Sequence, residues 1–101
     1  MLLLGSTIPR NNMRIRFSSE FAKQHEKANP KIKTSFDKRL ALFKENPLHP
    51  HLGNHPLSGK FSRYRSINVT GDWRALYTEH HVGEEVIIIF KLLGTHSQLY
   101  G

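Results

Sequence analysis

The run EVIIIFKLL at residues 85–93 constrains this chain more than any other stretch. Val86, Ile87, Ile88 and Ile89 are β-branched and stiff at χ1, which favours a strand over a helix. The run is far too short to cross a membrane as a helix. A strand apolar on both faces belongs in the interior of a sheet, so this is expected to be the most buried strand. Directly after it comes GTHSQLYG (94–101), with a His, a Tyr and several hydroxyl and amide groups. The most buried strand therefore delivers groups capable of proton transfer and base stacking at its end.

The chain has 101 residues, enough for a single domain with one modest core. It has no Cys, which removes disulfides and thiolate metal sites and suits a reducing, cytoplasmic setting. The formal charge of +7 and a pI near 10.1 point to a partner rich in phosphate or carboxylate. In MLLLGSTIPRNN the apolar stretch is only Leu2 to Leu4, with no basic residue before it, unlike a signal peptide. Residues 1–12 read as a flexible N-terminal extension, and residues 13–101 as the folded domain.

MRIRF (13–17) alternates apolar and basic residues as a short strand does. Ser18-Ser19-Glu20 carries helix-start chemistry for a polar helix over 18–29. Asn29-Pro30 breaks it and opens a second helix, in which Ile32, Phe36, Leu40 and Phe43 form one apolar face that ends at Asn46-Pro47. A Pro-, Gly- and His-rich loop (47–59) precedes strands at 61–69, 72–78 and 85–93, with turns at Thr70-Gly71 and His80 to Glu84. The order is β-α-α-β-β-β, an α+β fold with two helices on a twisted, mainly antiparallel four-stranded sheet.

Three of the seven His lie in HPHLGNH (49–55). A metal site there lacks acidic or thiolate ligands, and the prolines restrict ring convergence, so His49 and His51 read as loop residues. His25, His80 and His81 read as solvated. His55, Asp72, His96 and Tyr100 differ because each sits at a junction between a loop and a strand end, where rigid elements can position it. A bland alternative stands beside this: Asp72 closes a turn and Tyr100 caps the core.

Alternation on the second strand puts Ile67 and Val69 against the helices, with Arg65 on the same side, and turns Tyr64, Ser66 and Asn68 to the open face. Trp73, Ala75 and Tyr77 read as core, leaving Arg74 to face the other way. Cations, amides, hydroxyls and imidazoles on one face suit single-stranded RNA.

NPLHPHLGNHPLSGKFSRYRSINVTGDWRALY, together with the terminal GTHSQLYG, resembles the RelE/ParE superfamily of bacterial type II toxins. It is most similar to the YafQ-like branch of the RelE/StbE family, over roughly residues 13 to 101. The resemblance implies a RelE-like fold and an mRNA interferase that acts in the ribosomal A site and is neutralised by a cognate antitoxin. It also implies higher-order toxin–antitoxin complexes that bind DNA through the antitoxin, and no membrane partner. The implied chemistry uses no metal or other cofactor. The RNA 2′-OH attacks the adjacent phosphorus, leaving a 2′,3′-cyclic phosphate and a 5′-OH.

Residue by residue, the resemblance makes His96 the general acid, a role that suits an imidazole near neutral pH. Tyr100 stands where the family has an aromatic residue that holds the mRNA base. His55 or Asp72 is the base, since a carboxylate beside an imidazole drives their pKa values apart. Arg65 matches a family Arg, with an ion pair as its structural alternative. Arg74 is the better phosphate ligand, with Arg63 and Lys60 as further RNA-binding cations. Asn68 departs from the pattern, because well-studied relatives place a His or Arg there. Asn can donate a hydrogen bond but neither gives up a proton at neutral pH nor carries charge. Two other functions compete: a ParE-like inhibitor of DNA gyrase, and an RNA-binding relative with weak or lost cleavage.

Overall fold

Ser18 and Asn29 organise the N-terminal half of the chain. In the computed structural model, which describes residues 12–101, each caps a helix by accepting a backbone N–H: Ser18 Oγ from Phe21, Asn29 Oδ1 from Ile32. The helices are α1 (Ser19–Lys27) and α2 (Pro30–Glu45), the latter opened by Pro30. Strand β1 (Met13–Phe17) precedes them. After them come β2 (His55–Pro56), β3 (Arg65–Asn68), β4 (Trp73–Val82), β5 (Glu85–Thr95) and a short helix α3 (His96–Tyr100). The sheet has five strands in the order β1-β5-β4-β3-β2, with β1 parallel to β5 and the other pairings antiparallel.

Several boundaries differ from the sequence reading. His55-Pro56 is a fifth, edge strand paired with Ser66 and Arg65, not loop. Residues 61–64 are not strand, because Gly59–Phe61 forms a 3-10 turn and β3 starts at Arg65. The β4–β5 hairpin turns tightly at Gly83-Glu84, so His80 and His81 are strand residues. The tail 96–100 is helical, with a capping box between Thr95 and Gln98. The expected extension over residues 1–12 lies outside the described residues apart from Asn12.

The core lies between the helices and one sheet face. Phe90 sits at its centre, with ring centroids 5.4 Å from Phe36, 5.5 Å from Phe43, 5.8 Å from Phe21 and 5.4 Å from Tyr77. Of the predicted α2 stripe, Ile32, Phe36 and Phe43 are buried and Leu40 packs at the margin. Ala75 and Tyr77 join the core, with Trp73 packed against it. His25 is not simply solvated: its ring lies 6.3 Å from Phe21 and 5.8 Å from Phe36.

Strand β5 contains a bulge. Leu76 pairs with Leu92 but Tyr77 pairs with Phe90, so Lys91 is an extra residue on β5. Before it, Val86, Ile88 and Phe90 face the core; after it, Leu93 does. The bulge thus inverts the alternation and turns Leu92 and Gly94 to the open face, opposite Leu76 and Arg74. The backbone groups around it are met by α1 and its cap: Ser18 Oγ donates to the Lys91 carbonyl at 2.9 Å, and Gln24 Oε1 accepts from Leu93 N–H at 2.7 Å.

Arg65 points to the core side, as the alternation requires, but forms no ion pair among the described residues. Its Nε donates to Asn54 Oδ1 at 2.8 Å, and Asn54 Nδ2 donates to Tyr77 Oη at 2.7 Å and to the Pro47 carbonyl at 2.9 Å. Burial pushes the Tyr77 phenol above its ordinary pKa, against the opposing effects of Asn54 and Arg65, so it remains a neutral member of this chain of bonds. The network ties the loop before β2 to the middle of the sheet.

Phe90→Ala should cost about 3–5 kcal/mol in urea unfolding, because the core around it cannot collapse into the space left. Arg65→Ala should cost about 1.5–3 kcal/mol in the same measurement, through loss of a hydrogen bond from a charged donor.

Candidate active site

The open face of the sheet carries a cleft of about 420 Å3 lined by His55, Leu57, Ser58, Phe61, Ser66, Arg74, His96 and Tyr100. Each wall has a local cause. His55 is delivered by β2, directly across from Ser66 on β3. Arg74 faces the cleft because it pairs with Asn68 on one side and Gly94 on the other. His96 begins α3, and its N–H donates to the Asp72 carbonyl at 3.1 Å, pinning the helix start to the β3–β4 turn. Gly94 lets α3 lie close to the sheet: a Cβ there would come 3.1 Å from Gln98 Oε1 and 3.3 Å from Leu99 Cδ2.

The imidazoles are held differently. His55 Nδ1 lies 3.0 Å from the Gly53 carbonyl, which can only accept a hydrogen bond. A neutral His55 in this contact therefore carries its proton on Nδ1, leaving Nε2 as an acceptor. The His96 ring packs edge-on to Tyr100 at 4.7 Å, and Tyr100 packs edge-on to Phe61 at 5.7 Å. Phe61 in turn meets Tyr64 at 5.6 Å, and Lys60 Nζ lies 5.4 Å from the Phe61 ring centroid. The aromatic wall is thus Phe61 and Tyr100 together. Sequence reasoning missed Phe61, although an aromatic between Lys60 and Arg63 was a visible signal for it.

The Arg74 guanidinium is oriented by the chain around it. Its Nη1 donates to the carbonyls of Thr70, Gly71 and Trp73 at 3.0, 3.2 and 3.0 Å. Among the described residues no acid is paired with it, so its charge is available to an anion in the cleft.

The remaining residues singled out in the sequence lie elsewhere. The Asp72 side chain is exposed and does not line the cleft; its backbone carbonyl holds His96. Asn68 shares the face and pairs with Arg74, but it sits behind the loop, where a Cβ on Gly53 (φ 55°) would fall 2.4 Å from its Nδ2. Arg65 belongs to the opposite face. Arg63 is an exposed turn residue that does not line the cleft, and Lys60 flanks Phe61. His49 and His51 pack edge-on at 4.8 Å. Among the described residues no three His, Asp or Glu side chains gather closely enough to hold a metal ion.

Comparison with known proteins agrees with this architecture. The fold is similar to a YoeB/ParE toxin from Agrobacterium tumefaciens, with TM-score 0.69 and 17% identity over 83% of this chain and 99% of that one. It is similar to YafQ from E. coli, with TM-score 0.66 and 24% identity over 88% of this chain and 99% of that one. It is also similar to a chain of the E. coli DinJ-YafQ complex, with TM-score 0.61 and 25% identity over 88% and 99% of the two chains. No curated protein sequence matches. A family model described as "Bacterial toxin of type II toxin-antitoxin system, YafQ" matches residues 13–101. Because that match spans the five-stranded sheet, its helices and the whole cleft, the chain belongs to the YafQ family of type II toxin–antitoxin toxins.

Proposed function

We propose that this toxin is a ribosome-dependent endoribonuclease that cuts mRNA through the cleft on the open sheet face. The observation that carries this reading is that two imidazoles and one guanidinium, His55, His96 and Arg74, line a single cleft, with no acid paired to Arg74 among the described residues. His55 Nε2, left as an acceptor by the Gly53 contact, takes the proton of the ribose 2′-OH. The 2′-oxygen bonds to the adjacent phosphorus, and the bond from phosphorus to the 5′-oxygen breaks. His96, as imidazolium, gives its proton to that 5′-oxygen. Arg74 stabilises the charge that builds on the non-bridging oxygens. Tyr100 and Phe61 offer ring faces and edges to the unstacked base, a contact that tolerates different bases.

Between the two candidates for the base, geometry favours His55, because the Asp72 carboxylate is outside the cleft. Asn68 pairs with Arg74 but does not line the cleft, and its amide, which gives up no proton at neutral pH, takes no part in the proton transfers.

The DinJ-YafQ complexes suggest a cognate antitoxin for this chain as well. With a net charge of +7, a small partner with an acidic segment is the complementary choice. The site of action would be the cytoplasm, where ribosomes and mRNA meet.

Induced expression and then primer extension on a translated transcript test this reading. Codon-phased 5′ ends that disappear when translation of the transcript is blocked are expected. His96→Ala should slow cleavage by about 10²-fold or more, the usual loss for a general acid. Growth arrest that persists unchanged in that variant, or DNA damage without RNA cuts, would overturn the reading in favour of a gyrase inhibitor.

A further inference from the structure

Ser66 is a polar side chain that the proposed cleavage mechanism does not use. It lies on β3, directly opposite His55 on β2, and two residue pairs along from Asn68 and Arg74, on the same face of the sheet. Alternation with Ile67 turns it to the cleft face, and it lines the cleft. It is 0% exposed, and its Oγ has no hydrogen-bond partner among the described residues, the one side-chain polar atom there in that condition. Neither of its polar neighbours turns to it: His55 Nδ1 is engaged with the Gly53 carbonyl and Arg74 Nη1 with the turn carbonyls, and neither bonds Ser66 Oγ. A buried hydroxyl without a partner is costly, and such groups in native proteins call for a reason.

We propose that Ser66 Oγ is a substrate-contacting group that donates a hydrogen bond to a non-bridging oxygen of the scissile phosphate. This rests on the reading of the cleft as an RNA-cleaving site. The position suits the task, since Ser66 lies between the base on β2 and the cation on β4. The arrangement supplies a neutral donor beside Arg74 for the oxygens that gain charge in the transition state. Ser66 keeps its own proton throughout; it is neither nucleophile nor base. A phosphate oxygen would supply the partner that the described residues do not give this hydroxyl.

The test uses ribosomes programmed with a short synthetic mRNA carrying a normal scissile phosphate or one of its two phosphorothioate diastereomers. In single-turnover cleavage, Ser66→Ala should lower the rate by about 10- to 100-fold, the worth of one hydrogen bond to a charged group. One diastereomer should slow the wild-type toxin but add little further loss in Ser66→Ala, because both changes remove the same contact. Thermal unfolding of Ser66→Ala should show an unchanged or higher midpoint, since only an unsatisfied hydroxyl is removed. A lower midpoint would mean that the hydroxyl serves the fold, and would overturn the proposal. So would an unchanged cleavage rate, or the full loss from both diastereomers in the variant. If the wild-type toxin itself cuts no RNA in this assay, the cleavage reading falls and this inference with it. If the wild type cuts and only the Ser66 results fail, this inference falls alone.

Discussion

The site depends on one irregularity, the extra residue Lys91 in β5, and on the hydrogen bonds that make it tolerable. A bulge leaves backbone groups out of the ladder, and buried groups of that kind must find partners. Here Ser18 and Gln24 supply them, at the Lys91 carbonyl and the Leu93 N–H. Helix α1 and its cap therefore take over the flank of β5 where β1 ends, at the Phe17–Phe90 pair. The consequence reaches the cleft. With the alternation inverted, Leu93 stays in the core while Gly94 faces Arg74, and α3 starts from Thr95 on the side that brings His96 and Tyr100 to the open face.

The opposite wall depends on a second network. Arg65, Asn54 and Tyr77 bind the loop before β2 from behind, through the core side of the sheet. That loop carries His55 and, through Gly53, the carbonyl that sets its tautomer. One charged residue matched by resemblance to the family thus supports the candidate site from the far face, while Arg74, with no acid paired to it among the described residues, lines the cleft. The division has a physical basis: a guanidinium with a hydrogen-bonding role inside the protein cannot also meet a phosphate on the other side of the sheet.

Much of this was legible in the residues. The β-branched run 86–89, the 3–4 spacing of Ile32, Phe36, Leu40 and Phe43, the cap at Ser18 and the break and restart at Asn29-Pro30 each act through local chemistry, so pattern suffices. Alternation on β3 correctly separated Ser66 from Ile67 and Arg65. Strand β2 was hidden because it has two residues, one a proline, and no periodicity to detect. The bulge at Lys91 left only a weak trace, a single Lys within an apolar run. Helix α3 was missed although Thr95 and Gln98 spell a capping box, a signal read there as reactive tail. Asp72 and Arg65 illustrate a further limit: motif position says which residue occupies a place, but backbone register decides which face its side chain reaches.

The central claim is that the cleft between β2 and α3 holds the scissile phosphate. The most direct measurement is a structure of the toxin on a ribosome whose A-site mRNA carries a 2′-O-methyl group at the cleavage position, which blocks the attack. The account predicts the scissile phosphate beside Arg74, its 5′-oxygen towards His96 and the blocked 2′-oxygen towards His55 Nε2. An mRNA bound with that phosphate outside the cleft, or with His96 turned away from the 5′-oxygen, would contradict it.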